Sequence, residues 1–266
     1  MHHAFDTIAS DYDTSFTKSI IGTAQREIVY RYLDKFLPEK KSLSILELNS
    51  GTGEDAIWFV KKGHQVLATD ISEKMVGIIR EKVDEANLSH QIRVRRQDIT
   101  LLQQENLDEK YDLIFSNFGG INCIQPAQLN KLPHALRQLL KLNGRLILVL
   151  MPKYCLWEAK YFLLKLNIKS AFRRYSNKGT TANLNGIELK TYYYTPGRIR
   201  KVFKEYFNVV AVKPVGFFIP PSYLEKYFTS NRKTFNLLKR FENLIANQSY
   251  LATFSDHYLI DLRVHI

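Results

Sequence analysis

The chain has 266 residues, of which 45% are apolar and 24% are charged, a composition typical of globular proteins and not of disordered ones. Its two cysteines, Cys123 and Cys155, are too few for a disulfide framework or a cysteine-based zinc site. No apolar run reaches the ~18 residues of a membrane span, and residues 1–6 lack the basic start and apolar core of a signal peptide. We therefore expect a cytoplasmic protein with no membrane span and no metal site.

The net charge of +12 comes entirely from the C-terminal part of the chain. Residues 1–150 hold nineteen basic and nineteen acidic side chains, whereas residues 151–266 hold nineteen basic and seven acidic ones. This imbalance suits either a solubilising surface or an anionic partner, such as an acidic substrate, an acidic carrier protein, a lipid headgroup or nucleic acid.

The first 152 residues predict a helical segment followed by alternating strands and helices. Residues 1–43 are predicted to be mainly helical, with helical apolar spacing between Thr23 and Phe36. The following strands are predicted at 44–48, 65–70, 92–96, 111–116 and 145–150, with helices at 54–62, 72–86 and 126–140. Such alternation is typical of βαβ units, so residues 44–152 are predicted to form an α/β core with a parallel sheet.

The pattern changes after residue 152. A helix rich in aromatic and basic residues is predicted at 156–172, and two strands flank Asn185-Gly186, a type I′ turn signal. Together with a helix opened by Thr195-Pro196, they make residues 153–206 a lid insertion with a β-hairpin. Residues 207–266 are predicted to hold the last strands of the core, at 208–218 and 257–264, and a second helical insertion at 220–250.

The clearest chemical signal is the glycine loop Gly51-Thr52-Gly53, between the first strand and its helix. Glycines let a ligand approach the backbone N–H groups of a helix N-terminus. The loop formally fits the dinucleotide fingerprint G-x-G-x-x-A, with Asp70 near the spacing of a ribose-binding acid. Glu54 and Asp55 argue against a dinucleotide, because a pyrophosphate would meet two carboxylates in the first helical turn. The 43 residues before the first strand also argue against it.

An ordered set of motifs resembles the class I S-adenosylmethionine (SAM)-dependent methyltransferases, and most closely the small-molecule enzymes of ubiquinone and menaquinone biosynthesis. Residues 5–13 are similar to the family's F-D-x-x-A-x-x-Y-D, and residues 47–53 are similar to its E/D-x-G-x-G-x-G loop. The set is completed by acids at the ends of strands two and three, by the turn at 142–146 and by Tyr194-Thr195-Pro196. The resemblance covers residues 4–218 and the last strand.

One residue departs from the family pattern. Asn49 replaces the first glycine of the loop, and asparagine tolerates the left-handed backbone better than other non-glycine residues. The resemblance implies a Rossmann-like class I methyltransferase fold. Its sheet is seven-stranded and mostly parallel with an antiparallel last strand, and a helical and β-hairpin lid is added.

The resemblance also implies a SAM site, with S-adenosylhomocysteine as the product. Asp70 would accept both ribose hydroxyls, because a carboxylate offers two acceptor oxygens. Asp98 and Ile99 would bind the adenine edge, and Ile71 and Met75 would sandwich the ring. The residues expected to bind the cofactor are Tyr12, Glu47, Asn49, Ser50, Gly51, Thr52, Gly53, Asp70, Ile71, Met75, Asp98, Ile99, Ser116, Asn117 and Phe118.

Catalytic and acceptor-binding candidates follow from the same fold. Asp256-His257 opens the last strand at the active-site edge, which makes His257 the candidate general base, since imidazole titrates near neutrality. Asn117 and Asn122 could orient an acceptor oxygen. The aromatic and basic lid predicts an apolar pocket with a basic rim. Its acceptor-binding candidates are Trp157, Tyr193, Tyr194, Tyr223, Arg173 and Arg198.

These features predict in-line methyl transfer to a small acceptor that is aromatic or lipid-like, with an anionic end or on an acidic carrier protein. Two other functions fit parts of the sequence. A basic face with interleaved aromatics is also the footprint of a nucleic-acid methyltransferase, although no N-P-P-Y-type motif follows strand four. A catalytically silent SAM-fold binding protein would be consistent with Asn49. Measurement of RNA binding at two salt concentrations, and of methyl turnover, separates these alternatives.

Overall fold

The N-terminal half alternates strands and helices in the structure, a computed structural model that describes residues 5–39, 41–102, 109–184 and 187–265. The N-terminal segment forms helices α1 (Ala9–Tyr12) and α2 (Ile20–Leu33), with a π-helical turn at Asp13–Thr17 between them. The core then contains β1 (Ser44–Leu48), α3 (Glu54–Lys61), β2 (Gln65–Asp70), α4 (Glu73–Glu85), β3 (Ile92–Arg96) and β4 (Tyr111–Ser116). A 3-10 turn at Gly120–Cys123 leads to α5 (Pro126–Leu129), α6 (Leu132–Leu139) and β5 (Leu140–Leu150).

The C-terminal half contains two insertions and the last two strands of the sheet. The first insertion forms α7 (Leu156–Leu164), α8 (Ile168–Ala171), a hairpin of β6 (Thr180–Leu184) and β7 (Ile187–Thr191), and α9 (Pro196–Phe203). Then follow β8 (Phe207–Val215), α10 (Glu225–Ser230), α11 (Arg232–Leu244) and β9 (His257–Val264). The antiparallel pairing of β6 with β7 confirms the hairpin, and its predicted turn residues, 185 and 186, lie outside the described residues.

The seven strands of the core form one sheet in the order β3-β2-β1-β4-β5-β9-β8. Strands β1 to β5 pair in parallel, and β9 is antiparallel to both of its neighbours. The predicted Rossmann-like, mostly parallel sheet with an antiparallel last strand is confirmed. The strand order reverses between β1 and β4, and ligands of open α/β sheets bind outside the carboxyl ends of the strands at such a switch point.

Two predicted elements have different boundaries in the structure. The helix expected at 126–140 is divided into α5 and α6, because Pro133 sits in the first turn of a new helix. Strand β5 begins at Leu140, and the predicted Asn143-Gly144 turn lies within it as a bulge where the register to β4 shifts. Asn143 has a φ of +62°, which accommodates the extra residues.

The helix expected at 156–172 is divided as well, into α7 and α8 with a turn at 165–167, and the second insertion is divided at Asn231. Each face of the sheet is covered by a large apolar cluster. One contains Leu136 of α6 and Phe203 of α9, and the other contains Val29 of α2 and Phe59 of α3. Among the described residues, no helix combines the length and apolarity that crossing a membrane requires.

Candidate active site

The glycine loop lies at the switch point, between the carboxyl end of β1 and the first turn of α3. Gly51 and Gly53 have φ values of +55° and +81°, a left-handed conformation that glycine adopts at low cost. Ser50 braces the loop from behind, because its Oγ donates to the Glu47 carbonyl at 3.2 Å and accepts from the Thr69 N–H at 3.0 Å. The loop therefore presents the backbone of a helix N-terminus to the cleft in front of it.

Asp70 ends β2 and faces the loop. Its Oδ2 accepts a hydrogen bond from the Gly51 N–H at 2.9 Å, and its Oδ1 accepts one from the Ser72 N–H at 2.9 Å. Burial raises the pKa of Asp70 to about 6, although these backbone hydrogen bonds act in the opposite direction. A buried carboxylate of this kind can accept hydrogen bonds from a ligand that carries two adjacent hydroxyls.

Asn49 has the left-handed conformation expected of it, with a φ of +57°. Its Oδ1 accepts a hydrogen bond from the Ser116 hydroxyl at 3.3 Å. The side chain fills space beside Gly120, because a Cβ added to Gly120 would lie 2.4 Å from the Asn49 Cβ. The asparagine and the glycine are therefore sterically coupled across the cleft wall.

The loops after β2 and β3 form the apolar end of the cleft. Ile71, Met75 and Ile99 line it, and Asp98 stands at its wall. Asp98 also caps the short helix that follows β3, since its Oδ1 accepts from the Thr100 N–H at 2.8 Å and from the Thr100 hydroxyl at 2.7 Å. The arrangement suits a flat heteroaromatic ring whose polar edge faces a carboxylate.

The N-terminal segment covers the glycine loop. The Thr52 hydroxyl donates to Asp13 Oδ1 at 2.5 Å, and Lys82 on α4 pairs with Asp13 Oδ2 at 2.5 Å. Burial would raise the pKa of Asp13, but the hydrogen bonds from Lys82 and Thr52 hold it below its usual value. The Tyr12 ring lines the cleft beside Gly51, and the Phe16 ring packs edge-on against Phe118 at 5.2 Å.

A buried polar cluster lies behind the part of the cleft wall formed by Asn117. Arg26 of α2 donates through Nε to Asp55 Oδ1 at 3.0 Å, and Asp55 also accepts from the Tyr30 hydroxyl at 2.7 Å and the Asn117 amide at 3.1 Å. Burial and the Asp55 carboxylate raise the pKa of Glu47 well above its usual range, against the opposing charge of Arg26. Among the described residues, Arg26 Nη1 and Glu47 Oε2 are buried and have no hydrogen-bond partner.

These orphaned atoms provide a test of whether the site fits SAM. A buried guanidinium N–H group and a buried carboxyl oxygen complement the carboxylate and ammonium of an amino acid. The cleft encloses about 870 Å³ of space, counting its open mouth. Together with Asp70 and the apolar end of the cleft, these groups fit an amino acid joined to a nucleoside. Among the described residues, no group of three potential ligands could hold a metal ion.

Ten of the fifteen residues expected to bind the cofactor line this cleft, namely Tyr12, Asn49, Gly51, Asp70, Ile71, Met75, Asp98, Ile99, Asn117 and Phe118. The other five lie behind its wall or support it: Glu47, Ser50, Thr52, Gly53 and Ser116. Sequence reasoning missed the contributions of the start of the N-terminal segment, the 3-10 turn with its flanking residues, the residue after β5 and the hairpin strand β7. These lining residues are Phe5, Gly119, Gly120, Cys123, Ile124, Met151, Leu189 and Thr191.

The structure gives Asn122 a different role from the one predicted. Its amide donates to the Met151 and Tyr192 carbonyls at 3.0 and 2.6 Å, and its Oδ1 accepts from the Met151 N–H at 2.9 Å. Asn122 is fully buried and joins the end of β5 to the segment after β7. Its amide group is occupied by backbone partners, so it is not available to orient an acceptor. Asn117 lines the cleft, but its amide is bonded to Asp55.

His257 lies behind the cleft wall. Its ring packs edge-on against Phe118, with ring centroids 5.4 Å apart, and its Nδ1 lies 3.2 Å from Asp256 Oδ2. Burial would raise the pKa of Asp256, but His257 and Arg174 hold it well below its usual range. An ionised Asp256 favours the proton on Nδ1 and leaves Nε2 as the basic nitrogen.

None of the six acceptor-binding candidates lines this cleft in the described part of the chain. The Trp157 indole donates to the Phe218 carbonyl at 3.1 Å, and the Tyr223 ring packs on Tyr161. Arg173 is paired with the buried Glu158 at 2.7 Å. Tyr193, Tyr194 and Arg198 line a separate groove beside α9. The acceptor-binding role of these six residues therefore stays a prediction, and the structure places none of them in the wall of the cleft that holds Asp70.

The sequence matches known methyltransferases over its N-terminal half. The profile of a family described as "Methyltransferase domain" matches residues 45–144. Demethylmenaquinone methyltransferase from Bacteroides fragilis is 33% identical over 149 residues, which is 54% of this chain and 57% of that protein. The tRNA 5-carboxymethoxyuridine methyltransferase of Escherichia coli is 28% identical over 87 residues, covering 32% and 33% of the two chains. The chain thus spans little more than half the length of the first relative and a third of the second.

A solved structure extends the similarity over most of the fold. The magnesium protoporphyrin IX methyltransferase of Synechocystis, with bound S-adenosylhomocysteine, covers 91% of this chain and is itself covered to 82%. Its TM-score is 0.56 at 18% identity, a likeness of fold alone. The motifs, the matched domain and the strand order agree in their similarity to the class I SAM-dependent methyltransferases.

Proposed function

We propose that this protein transfers the methyl group of SAM to a small-molecule acceptor in the cytoplasm. The observation that carries the proposal is the cleft at the switch point. The Asp70 carboxylate lies there 2.9 Å from the glycine-loop backbone, and the orphaned polar atoms of Arg26 and Glu47 lie behind the cleft wall. These groups complement the ribose and the amino acid of SAM.

Each part of the cleft has a task in this proposal. Asp70 accepts the ribose hydroxyls, Ile71, Met75 and Ile99 enclose the adenine, and Asp98 accepts from its amino group. Arg26 and Glu47 bind the amino-acid end. SAM supplies an electrophilic methyl group, so the protein's contribution is to align the acceptor with it and to exclude water.

The acceptor in this proposal is apolar, because Phe118, Met151 and Leu189 are among the residues that line the cleft. The name of the Bacteroides relative specifies a demethylated quinone, which is lipid-like and aromatic. His257 lies behind Phe118 and outside the cleft lining, so proton removal from an acceptor oxygen by its Nε2, with Asp256 holding the ring, requires the Phe118 ring to move aside. The tRNA relative makes nucleic acid the second acceptor class.

The first experiment measures S-adenosylhomocysteine binding by calorimetry. We expect micromolar affinity that Asp70→Ala weakens about a hundredfold, since two charge-assisted hydrogen bonds are lost. Asp84→Ala is the matched control, because Asp84 is an exposed acid on α4. NADH is titrated in parallel, and binding of NADH instead would contradict the proposal.

Methyl turnover is then measured with quinols, anionic phenols in free and carrier-bound form, and bulk tRNA. Turnover with a quinol or phenol supports the small-molecule assignment. Turnover with tRNA and with no small molecule would contradict the small-molecule assignment and identify nucleic acid as the acceptor. Cofactor binding without turnover on any acceptor would favour the catalytically silent alternative.

A further inference from the structure

The corner between α7 and α8 exposes large apolar side chains in an unusual concentration. All residues from 163 to 169, with the sequence Leu-Leu-Lys-Leu-Asn-Ile-Lys, are exposed. Leu164, Leu166 and Ile168 are 77%, 91% and 66% exposed. Isolated exposed leucines are normal on protein surfaces, whereas a contiguous apolar patch marks an interaction site.

This corner is a rigid structure with a defined geometry. The Asn167 N–H donates to the Phe162 carbonyl at 2.9 Å and the Leu166 N–H donates to the Leu163 carbonyl at 2.9 Å, the two hydrogen bonds of a Schellman motif. The Asn167 side chain then caps α8 by accepting from the Ser170 N–H at 3.0 Å. The backbone therefore holds the leucines outward in one arrangement.

Leu166 occupies the position of this motif that glycine usually takes. Its φ is +55°, a left-handed conformation that is unfavourable for leucine. The most exposed large apolar residue of the corner thus also has a strained backbone. Neither feature stabilises the isolated chain, so both point to a role outside it.

The charges around the corner are of one sign. Residues 153–179 contain seven lysines and arginines, and their single acid, Glu158, is buried in ion pairs with Arg173 and Arg174. Lys160, Lys165 and Lys169 flank the exposed leucines. Lysines around a protruding aliphatic group are typical of protein segments that bind the interface of an anionic bilayer.

We propose that the corner at 163–169 docks the protein on an anionic lipid bilayer. Leu164, Leu166 and Ile168 enter the headgroup boundary, and the flanking lysines contact lipid phosphates. The charge pattern selects this occupant over a second copy of the chain, because two such corners facing each other would bring like charges together. The inference is independent of the proposed methyl transfer, and its test measures no turnover.

The test is co-sedimentation of the full chain with vesicles of phosphatidylcholine, alone or mixed with phosphatidylglycerol. We expect binding to the mixed vesicles, reduced at least about tenfold in Leu164→Ser/Leu166→Asn/Ile168→Ser. Lys160→Gln/Lys169→Gln should weaken this binding about twenty-fivefold, at roughly fivefold per lysine. Both variants replace exposed side chains, so their thermal midpoints should stay at or above that of the wild type.

Matched controls exclude a general loss of apolarity or charge. Leu142→Ser removes a leucine that is 81% exposed at the amino end of β5, on the opposite edge of the sheet. Lys61→Gln/Lys201→Gln removes two exposed lysines, on α3 and α9. Both controls should bind within about twofold of the wild type.

Three results would overturn the proposal: no binding of the wild type to anionic vesicles, equal binding of the leucine variant, or an equal loss in the controls. A wild-type dimer in sedimentation velocity that the leucine variant abolishes would instead identify a second copy as the occupant.

Discussion

At the scale of single residues, the glycine loop shows how a departure from a family pattern is accommodated. Asn49 takes up the left-handed conformation of the glycine it replaces, and its side chain occupies the space beside Gly120. A glycine is required at position 120 because the Asn49 side chain leaves no space for a Cβ. The backbone conformation is not the reason, since the φ of Gly120 is not left-handed.

This coupling predicts a double-mutant result. Gly120→Ala alone should lower the free energy of unfolding by about 2 kcal/mol, because its Cβ would overlap Asn49. In an Asn49→Gly background the same substitution should cost much less, with a coupling energy of about 1 kcal/mol or more. Urea denaturation of the four proteins measures it, and additive effects would show that the two residues do not share the space.

Asp70 predicts a pH dependence of cofactor binding. Burial raises its pKa to about 6 in the free protein, and only the ionised carboxylate accepts from both ribose hydroxyls. The dissociation constant for S-adenosylhomocysteine should therefore be flat above about pH 6 and rise about tenfold for each pH unit below it.

Calorimetry above and below pH 6 measures this dependence. Asp70→Asn should bind S-adenosylhomocysteine weakly at every pH, without the rise in dissociation constant below pH 6. The sign for stability is the opposite of that for binding. Because the pKa in the folded protein lies above that of the unfolded chain, the contribution of Asp70 to stability falls as the pH rises towards 6. A step that persists in Asp70→Asn would assign the titration to Glu47, whose pKa is also raised.

At the scale of elements, the lid is joined to the core by buried charges. Arg174, after α8, pairs with Asp256 at 2.8 Å and with Glu158 at 3.1 Å, and all three side chains are almost completely buried. Asp256 also accepts from the Gln25 amide of α2 at 3.1 Å. This network fixes the start of β9, and therefore His257, against the first insertion.

The network predicts that Arg174→Ala lowers the free energy of unfolding by about 3 kcal/mol or more, because the buried Asp256 carboxylate loses its arginine and Glu158 loses one of its two. Arg173→Ala is the comparison. Its side chain is 42% exposed and Arg174 still neutralises Glu158, so we expect a loss of about 1 kcal/mol or less. Chemical denaturation measures both, and equal losses would contradict the assignment of Arg174 as the buried anchor.

At the scale of the whole molecule, the distribution of the net charge has a structural explanation. The sequence predicted a basic rim around an acceptor pocket, yet Arg174 is buried and Arg173 is neutralised by Glu158. Three exposed lysines of the α7–α8 corner, Lys160, Lys165 and Lys169, lie beside leucines and do not line the cleft. Their charge supports a docking surface better than the rim of a substrate pocket.

The sequence by itself determined the α/β class, the glycine loop, Asp70 and the order of the motifs. These features are local, because a positive φ, a helix cap and the period of a strand depend on neighbouring residues. The same locality explains why the hairpin could be predicted while the division of the helix at 156–172 could not. That break depends on a leucine, which carries no turn signal.

Only the tertiary structure decided which polar residues meet. Arg26 pairs with Asp55, and Arg174 pairs with Asp256, which is 82 residues away along the chain. Whether an aromatic or basic side chain faces a ligand, a neighbour or solvent depends on burial by distant elements, and no local pattern records it. For that reason most of the residues that line the cleft were predictable from the sequence, and the contacts of the lid's arginines and tyrosines were not.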